Sequence, residues 1–252
     1  MRWRARTRGE PPSANGASSL HLWWELPGAF REVAATLEVL LPPSVPRLCF
    51  WALQVSFTDG RHAAGAAHVG LQAHPDHPGG TAVNWGGYRA GGGELDGTES
   101  SLPSALANPN TRDLRWVPGR PYRLAVAPSP ARGWRGTVTD LTTGRETVVR
   151  DLLLPAEAPL LSSPVVWSEV FARCDHPSTS VRWSDFEAVG VDGEVVRPAA
   201  LRVGYQRHVD GGCDNTTALA DPDGAGRGVL QVTATPRVVA PGAVLRLDLP
   251  PR

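Results

Sequence analysis

Glycine and proline, 27 and 24 of 252 residues, interrupt this chain so often that long helices are nearly excluded. Proline removes a backbone donor and clashes with the preceding turn, and an interior glycine costs a helix about 1 kcal/mol. Between these breaks lie short apolar or alternating runs at 21–26, 33–41, 48–57, 66–73, 81–85, 121–127, 133–141, 146–154, 164–172, 180–189, 200–206, 228–235 and 243–249. About thirteen short strands with turn signals between them, and no strand–helix alternation, predict an all-β fold. The expected form is a two-layer antiparallel, jelly-roll-like β-sandwich with few or no helices. Thr142-Thr143-Gly144, between two alternating runs, is the clearest hairpin turn. The expected organisation is a disordered segment at 1–18 and one sandwich domain at 19–252. Its main sandwich spans 19–192, with C-terminal strands 193–252 packed on it.

Charge excludes some functions. All cations are arginine, and 25 of them balance 25 acids, so the formal net charge is zero. A chain that grips nucleic acid needs a clustered positive field, so no nucleic-acid partner is expected. No run approaches the ~20 apolar residues of a membrane helix, so no membrane span is expected, and the chain reads as a monomer. Met1 to Arg8 has the cationic character of an export signal's first region, but the polar stretch 9–16 replaces the apolar core that should follow. Secretion or surface display is the expectation, with a cytoplasmic location as the alternative. Cys49 sits in an apolar run and reads as an inert core thiol. Cys174 and Cys213, each in a polar loop before an aspartate, are the pair for one disulfide, the alternative being two free thiols.

The segment 116–126, Trp-Val-Pro-Gly-Arg-Pro-Tyr-Arg-Leu-Ala-Val, resembles a strand of concanavalin A-like sandwich proteins, the group of laminin-G-type modules and family-16-type glucanases. Residues 133–140 and 180–189 fit the same plan. Gly70-Leu71-Gln72 is similar to a strand in an uncharacterised family of secreted bacterial sandwich proteins. The resemblance spans about residues 20–190 and implies a fold more than an activity. The E-x-D-x-E strand of the glucanases is absent, and many members of the group bind glycans without cleaving them.

The candidate site comes from alternation. In 165–171, Trp167, Glu169 and Phe171 share one face, and in 181–185 Val181, Trp183 and Asp185 share another. If the loop 173–179 joins these runs as a hairpin, indoles and carboxylates alternate on one sheet face, which suits a sugar ring. The alternative is that the tryptophans are core and the acids are tied to arginine. A non-catalytic, carbohydrate-binding sandwich of an exported bacterial protein is therefore the leading expectation. Its stacking residues are Trp167, Trp183 and Trp85, and its polar partners are Glu169, Asp185, Asn84 and Gln72. The polysaccharide is its partner.

Two other functions are kept open. One is a glycoside hydrolase or polysaccharide lyase using Glu169 and Asp185 as its carboxyl pair. The other is a protein-binding or structural sandwich without a small ligand. Binding rather than catalysis is favoured, because nucleophile and phosphate-loop motifs are missing. No cofactor is expected, with calcium as a possible ion at Asp210, Asp214, Asp221 and Asp223, where oxygen-rich loops offer hard ligands. His68, His74, Asp76 and His77 are a second metal-type cluster, although no structural zinc spacing fits them.

Overall fold

The apolar runs become strands. The computed structural model describes residues 6–130, 133–154, 159–222 and 227–248, and in it the described residues form sixteen strands and one five-residue α-helix. In chain order these are β1 (Ser18–Trp24), β2 (Phe30–Leu41), β3 (Cys49–Thr58), β4 (Ala63–Ala73), β5 (Thr81–Arg89), then α1 (Pro103–Ala107). There follow β6 (Thr111–Asp113), β7 (Pro121–Pro128), β8 (Trp134–Asp140), β9 (Arg145–Leu152), β10 (Leu160–Val170) and β11 (Ser180–Gly190). The last are β12 (Val195–Val196), β13 (Ala200–Tyr205), β14 (Thr217–Ala220), β15 (Val229–Val232) and β16 (Val244–Arg246). The sequence pattern lacks β6, β12 and β14, which are too short to show a period of two.

All the ladders are antiparallel, and they fall into two layers. One runs β16-β13-β1-β10-β3-β4-β5-β6. The other runs β14-β15-β11-β2-β7-β8-β9, with β12 beside β11. Leu161 opposite Phe30 links the two. The turn at 142–144 is the hairpin joining β8 to β9.

Between the layers lies one core, which includes Leu20, Leu22, Trp51, Leu53, Val69, Leu71 and Val166 from the first layer and Leu37, Leu124, Val126, Val181 and Trp183 from the second. Two of its tryptophans find partners inside it. Trp85 Nε1 donates to the Trp134 carbonyl, and Trp183 Nε1 donates to Gln231 Oε1. Gly136 makes the first of these possible, since a Cβ there would sit 2.5 Å from the Trp85 ring. Cys174 and Cys213 form a disulfide closing 39 residues, worth about 4 kcal/mol in the chain-entropy account. Cys49 is buried, and burial pushes its thiol up to about 12.

Several expectations are corrected here. β10 and β11 do not form a hairpin: β10 pairs with β1 and β3, whereas β11 pairs with β2 and β15 in the other layer. The loop 173–179 crosses between layers, so the alternating indole–carboxylate face does not exist. Trp183 and Trp85 are fully buried core rings and cannot stack on a ligand. A bulge between Ser184 and Glu187, with Asp185 at φ 49°, switches the phase of β11. Val181 and Trp183 before it, and Phe186 and Ala188 after it, all face the core, while Asp185 turns outward.

Three of the four calcium candidates are engaged by cationic or histidine side chains of the chain itself. Asp210 pairs with Arg207, Asp214 lies beside Arg237 and His208, and the buried Asp221 pairs with Arg182. Asp223 lies outside the described residues. Among the described residues no three His, Cys, Asp or Glu side chains converge as a metal would require. Nor does any described helix have the length and apolarity to cross a membrane. If Trp183 is structural, Trp183→Ala lowers stability by about 3–5 kcal/mol in urea denaturation, and a loss below 1 kcal/mol would contradict its core role.

Candidate functional site

A sheet that buries one face presents its other face elsewhere, and in the first layer that second face is also apolar at its centre. Phe50, Ala52, Val165 and Trp167 form a separate buried cluster on it. Phe50 and Trp167 of this cluster line a groove of about 610 Å³ running across β1, β10, β3, β4 and β5. Strand register arranges the groove in rows. Ser19, Glu169, Phe50, Gln72 and Ala82 stand at one level, and His21, Trp167, Ala52, Gly70 and Asn84 at the next. A third row holds Val165, Gln54, His68 and Gly86. In the second row the middle positions are small, Ala52 and Gly70. Gly70 is required there, because its Cβ would lie 2.1 Å from the Trp51 carbonyl oxygen.

Glu169 and Gln72 share a row with Phe50 between them. Two strand spacings separate their α-carbons, about 10 Å, and both side chains rise from the same face of the sheet. Burial raises the Glu169 carboxyl above the usual glutamate range, opposed in part by hydrogen bonds from Asn15 and Ser19. Gln72 is 6% exposed, and its backbone carbonyl accepts from Trp116 Nε1 at 2.9 Å, which pins the strand beneath it. Among the described residues no hydrogen bond occupies its carboxamide, so that donor is free for a ligand.

The rest of the groove is rich in side-chain amides. Trp167 Nε1 donates to Gln54 Oε1 at 3.1 Å, so the Gln54 amino group is the end left for a bound molecule. Asn84 donates to Thr111 Oγ1, while its own oxygen is buried without a partner. Asn108, Asn110 and Glu94, from the irregular segment after β5, close the far end. His21 and His68 are held neutral, burial lowering each to about 4. Of the described residues lining the groove, none is arginine.

Of the expected site residues, the structure therefore brings together Trp167, Glu169, Gln72 and Asn84. It sends Trp85 and Trp183 to the core and Asp185 to the outer side of the second layer, beside Arg123 and Glu187. His68 belongs to the groove, and His74 lies apart from it, next to Asp76 and His77. His21, Phe50 and Gln54 join His68 in the groove without having been expected from the sequence. Their signal was the same two-residue spacing that singled out Trp167 and Glu169, hidden because both faces of β3 are apolar.

No family model and no curated protein matches this chain. Among solved structures, scytalido-glutamic peptidase with a peptide-based transition-state analogue is similar, with TM-score 0.51 and 13% identity, covering 85% of this chain and 97% of that one. Weaker likenesses are SCP-B, a member of the eqolisin family of peptidases in complex with a tripeptide (0.48, 12%, 89% and 98%), and aspergilloglutamic peptidase from Aspergillus niger (0.41, 18%, 73% and 98%). At such identities the likeness is one of fold.

The likeness corrects the concanavalin A-like resemblance: the sandwich matched here is that of a glutamic peptidase. It also overturns the reading of a non-catalytic carbohydrate-binding module and its glycoside hydrolase alternative. The geometry agrees, since Glu169 and Asp185 lie in different layers and two of the three supposed stacking rings are core.

Glu169 should reveal its burial in its linkage to stability. Its folded pKa is raised, so the ionised form costs stability above that value, and the cost vanishes below the unfolded value of 4.5. Glu169→Gln is expected to be more stable than the parent at pH 7 and equal to it near pH 3, measured by urea unfolding at each pH. A variant less stable at pH 7 would show that the ionised carboxylate is favoured in place.

Proposed function

We propose that this chain is a peptide hydrolase, with an extended polypeptide lying across the strands in the groove and Glu169 and Gln72 acting on one peptide bond. The observation that carries this reading is their shared row: a carboxyl with a raised pKa and a free, buried carboxamide line the same groove two strands apart. The name of one similar structure supports it, since that protein is a glutamic peptidase solved with a peptide-based analogue of the transition state. The lining supports it too, because carboxamides offer both a donor and an acceptor, matching the alternating groups of a peptide backbone.

The chemistry follows from the two side chains. Glu169 as carboxylate takes a proton from water, whose oxygen attacks the peptide carbonyl carbon. Gln72 Nε2–H donates to the carbonyl oxygen, whose negative charge grows in the transition state. The tetrahedral intermediate then breaks its C–N bond as Glu169 returns the proton to the leaving amine. Phe50 and Trp167 exclude water around the pair, which strengthens both interactions. The disulfide fits an oxidising compartment, and we read the protein as secreted or displayed at the cell surface.

Digestion of an unfolded protein substrate from pH 3 to pH 8, with products read by mass spectrometry, tests this reading. Glu169→Gln is expected to lose about 10²–10⁴ in kcat. Gln72→Ala should lose about 10²–10³ while keeping the parent's circular dichroism. No cleavage at any pH, or full activity in Glu169→Gln, would rule the proposal out.

A further inference from the structure

The carboxyl of Glu169 receives two hydrogen bonds, and both reach the same oxygen. Asn15 Nδ2 donates to Oε1 at 3.0 Å, and Ser19 Oγ donates to Oε1 at 3.4 Å. Ser19 stands opposite Glu169 on β1, but Asn15 comes from the segment before that strand. Its placement there is built. The Ala17 amide donates to Asn15 Oδ1, which fixes the carboxamide so that its amino group faces Glu169. Gly16 N–H donates to the Ser13 carbonyl, and Ser13 Oγ donates to the Ala17 carbonyl, closing the turn around Asn15.

The start of the same segment is tied to the disulfide loops. Cys174 N–H donates to the Gly9 carbonyl at 2.8 Å, and Arg6 N–H donates to Asp214 Oδ2 at 2.6 Å. Asn215 Nδ2, two residues beyond Cys213, donates to the Cys174 carbonyl at 2.6 Å. The Ser13 backbone passes so close to Gly211 that a Cβ there would lie 2.1 Å from Ser13 N, and Gly211 has φ +92°. The Cys174–Cys213 bond thus joins the two loops on which residues 6–17 rest.

Resting on the peptidase reading, we propose that Asn15 is a positioning residue for Glu169: with Ser19 it occupies Oε1 and leaves Oε2 as the oxygen that exchanges the proton with water and leaving amine. The disulfide is the clamp that keeps the Asn15 turn in place. The other titratable side chains on this face are His21 from β1, His68 from β4, Tyr88 from β5 and Glu94 beyond β5. Both histidines are neutral above about pH 5, so they do not compete for the role.

The test is the ¹³C NMR titration of the Glu169 carboxyl in the full chain without substrate, alongside kcat and KM for an unfolded protein substrate. Asn15 donates to the charged form, so its removal raises the titration midpoint. The expected order of midpoints is parent, then Asn15→Ala, then Asn15→Asp, which adds a like charge. In Asn15→Ala, kcat is expected to fall about tenfold with KM nearly unchanged. Reduction of the disulfide should raise the midpoint as Asn15→Ala does, with no further rise when the two are combined. If the reduced protein unfolds, the Asn15 series decides alone. An unmoved midpoint and kcat in Asn15→Ala, with hydrolysis intact in the parent, overturns the role of Asn15. Moved midpoints without hydrolysis in any form overturn the peptidase reading instead.

Discussion

Everything in this protein depends on one sheet having two apolar faces. A sandwich layer ordinarily buries alternate residues and gives the others to solvent. In β3 and β10 both sets are apolar: Trp51, Leu53 and Val166 enter the core, while Phe50, Ala52, Val165 and Trp167 form a second buried patch on the opposite side. That patch cannot be left flat against water without cost. It is instead set in a groove rimmed with amides, and Glu169 lines that groove. The same burial that raises the carboxyl of Glu169 lowers His21 and His68, so one physical cause acts on all three groups.

The second layer has a supporting role in this arrangement. Its strands give the core its other half, and its bulge in β11 keeps Phe186 and Ala188 inward after Asp185 has left the sheet plane. Trp183 holds Gln231, and Gln231 Nε2 in turn donates to the Leu20 carbonyl on β1, so a polar thread joins the layers through the core. Trp116, part of the segment that resembled a concanavalin A-like strand, acts likewise from a loop by donating to the backbone beneath Gln72. The resemblance therefore rested on residues whose work is structural, and structural residues recur among unrelated sandwiches.

How much of the site could be read beforehand depended on distance along the chain. Trp167 and Glu169 lie two residues apart, so their common face follows from the pleat of a single strand. Gln72 and Asn84 were named from their own short strands, but nothing in the sequence said that β4 and β5 lie on the same side of β10. Trp183 and Asp185 were misplaced because the argument assumed that neighbouring strands pair and that β11 alternates throughout. Pairing with β2, more than a hundred residues earlier, and a single extra residue in the ladder broke both assumptions.

The sequence by itself determined the class of the fold, the hairpin at 142–144, the burial of Cys49 and the facing of Trp167 and Glu169. Each of these follows from local backbone chemistry or from hydrophobicity over a few residues. Only the tertiary structure decided which strands are neighbours, and with it the row that sets Glu169 across from Gln72, the burial of Trp85 and the meeting of Asn15 with Glu169. These depend on contacts between segments tens to more than a hundred residues apart, where the free energy of packing two layers, and not the preference of any single run, selects the partner.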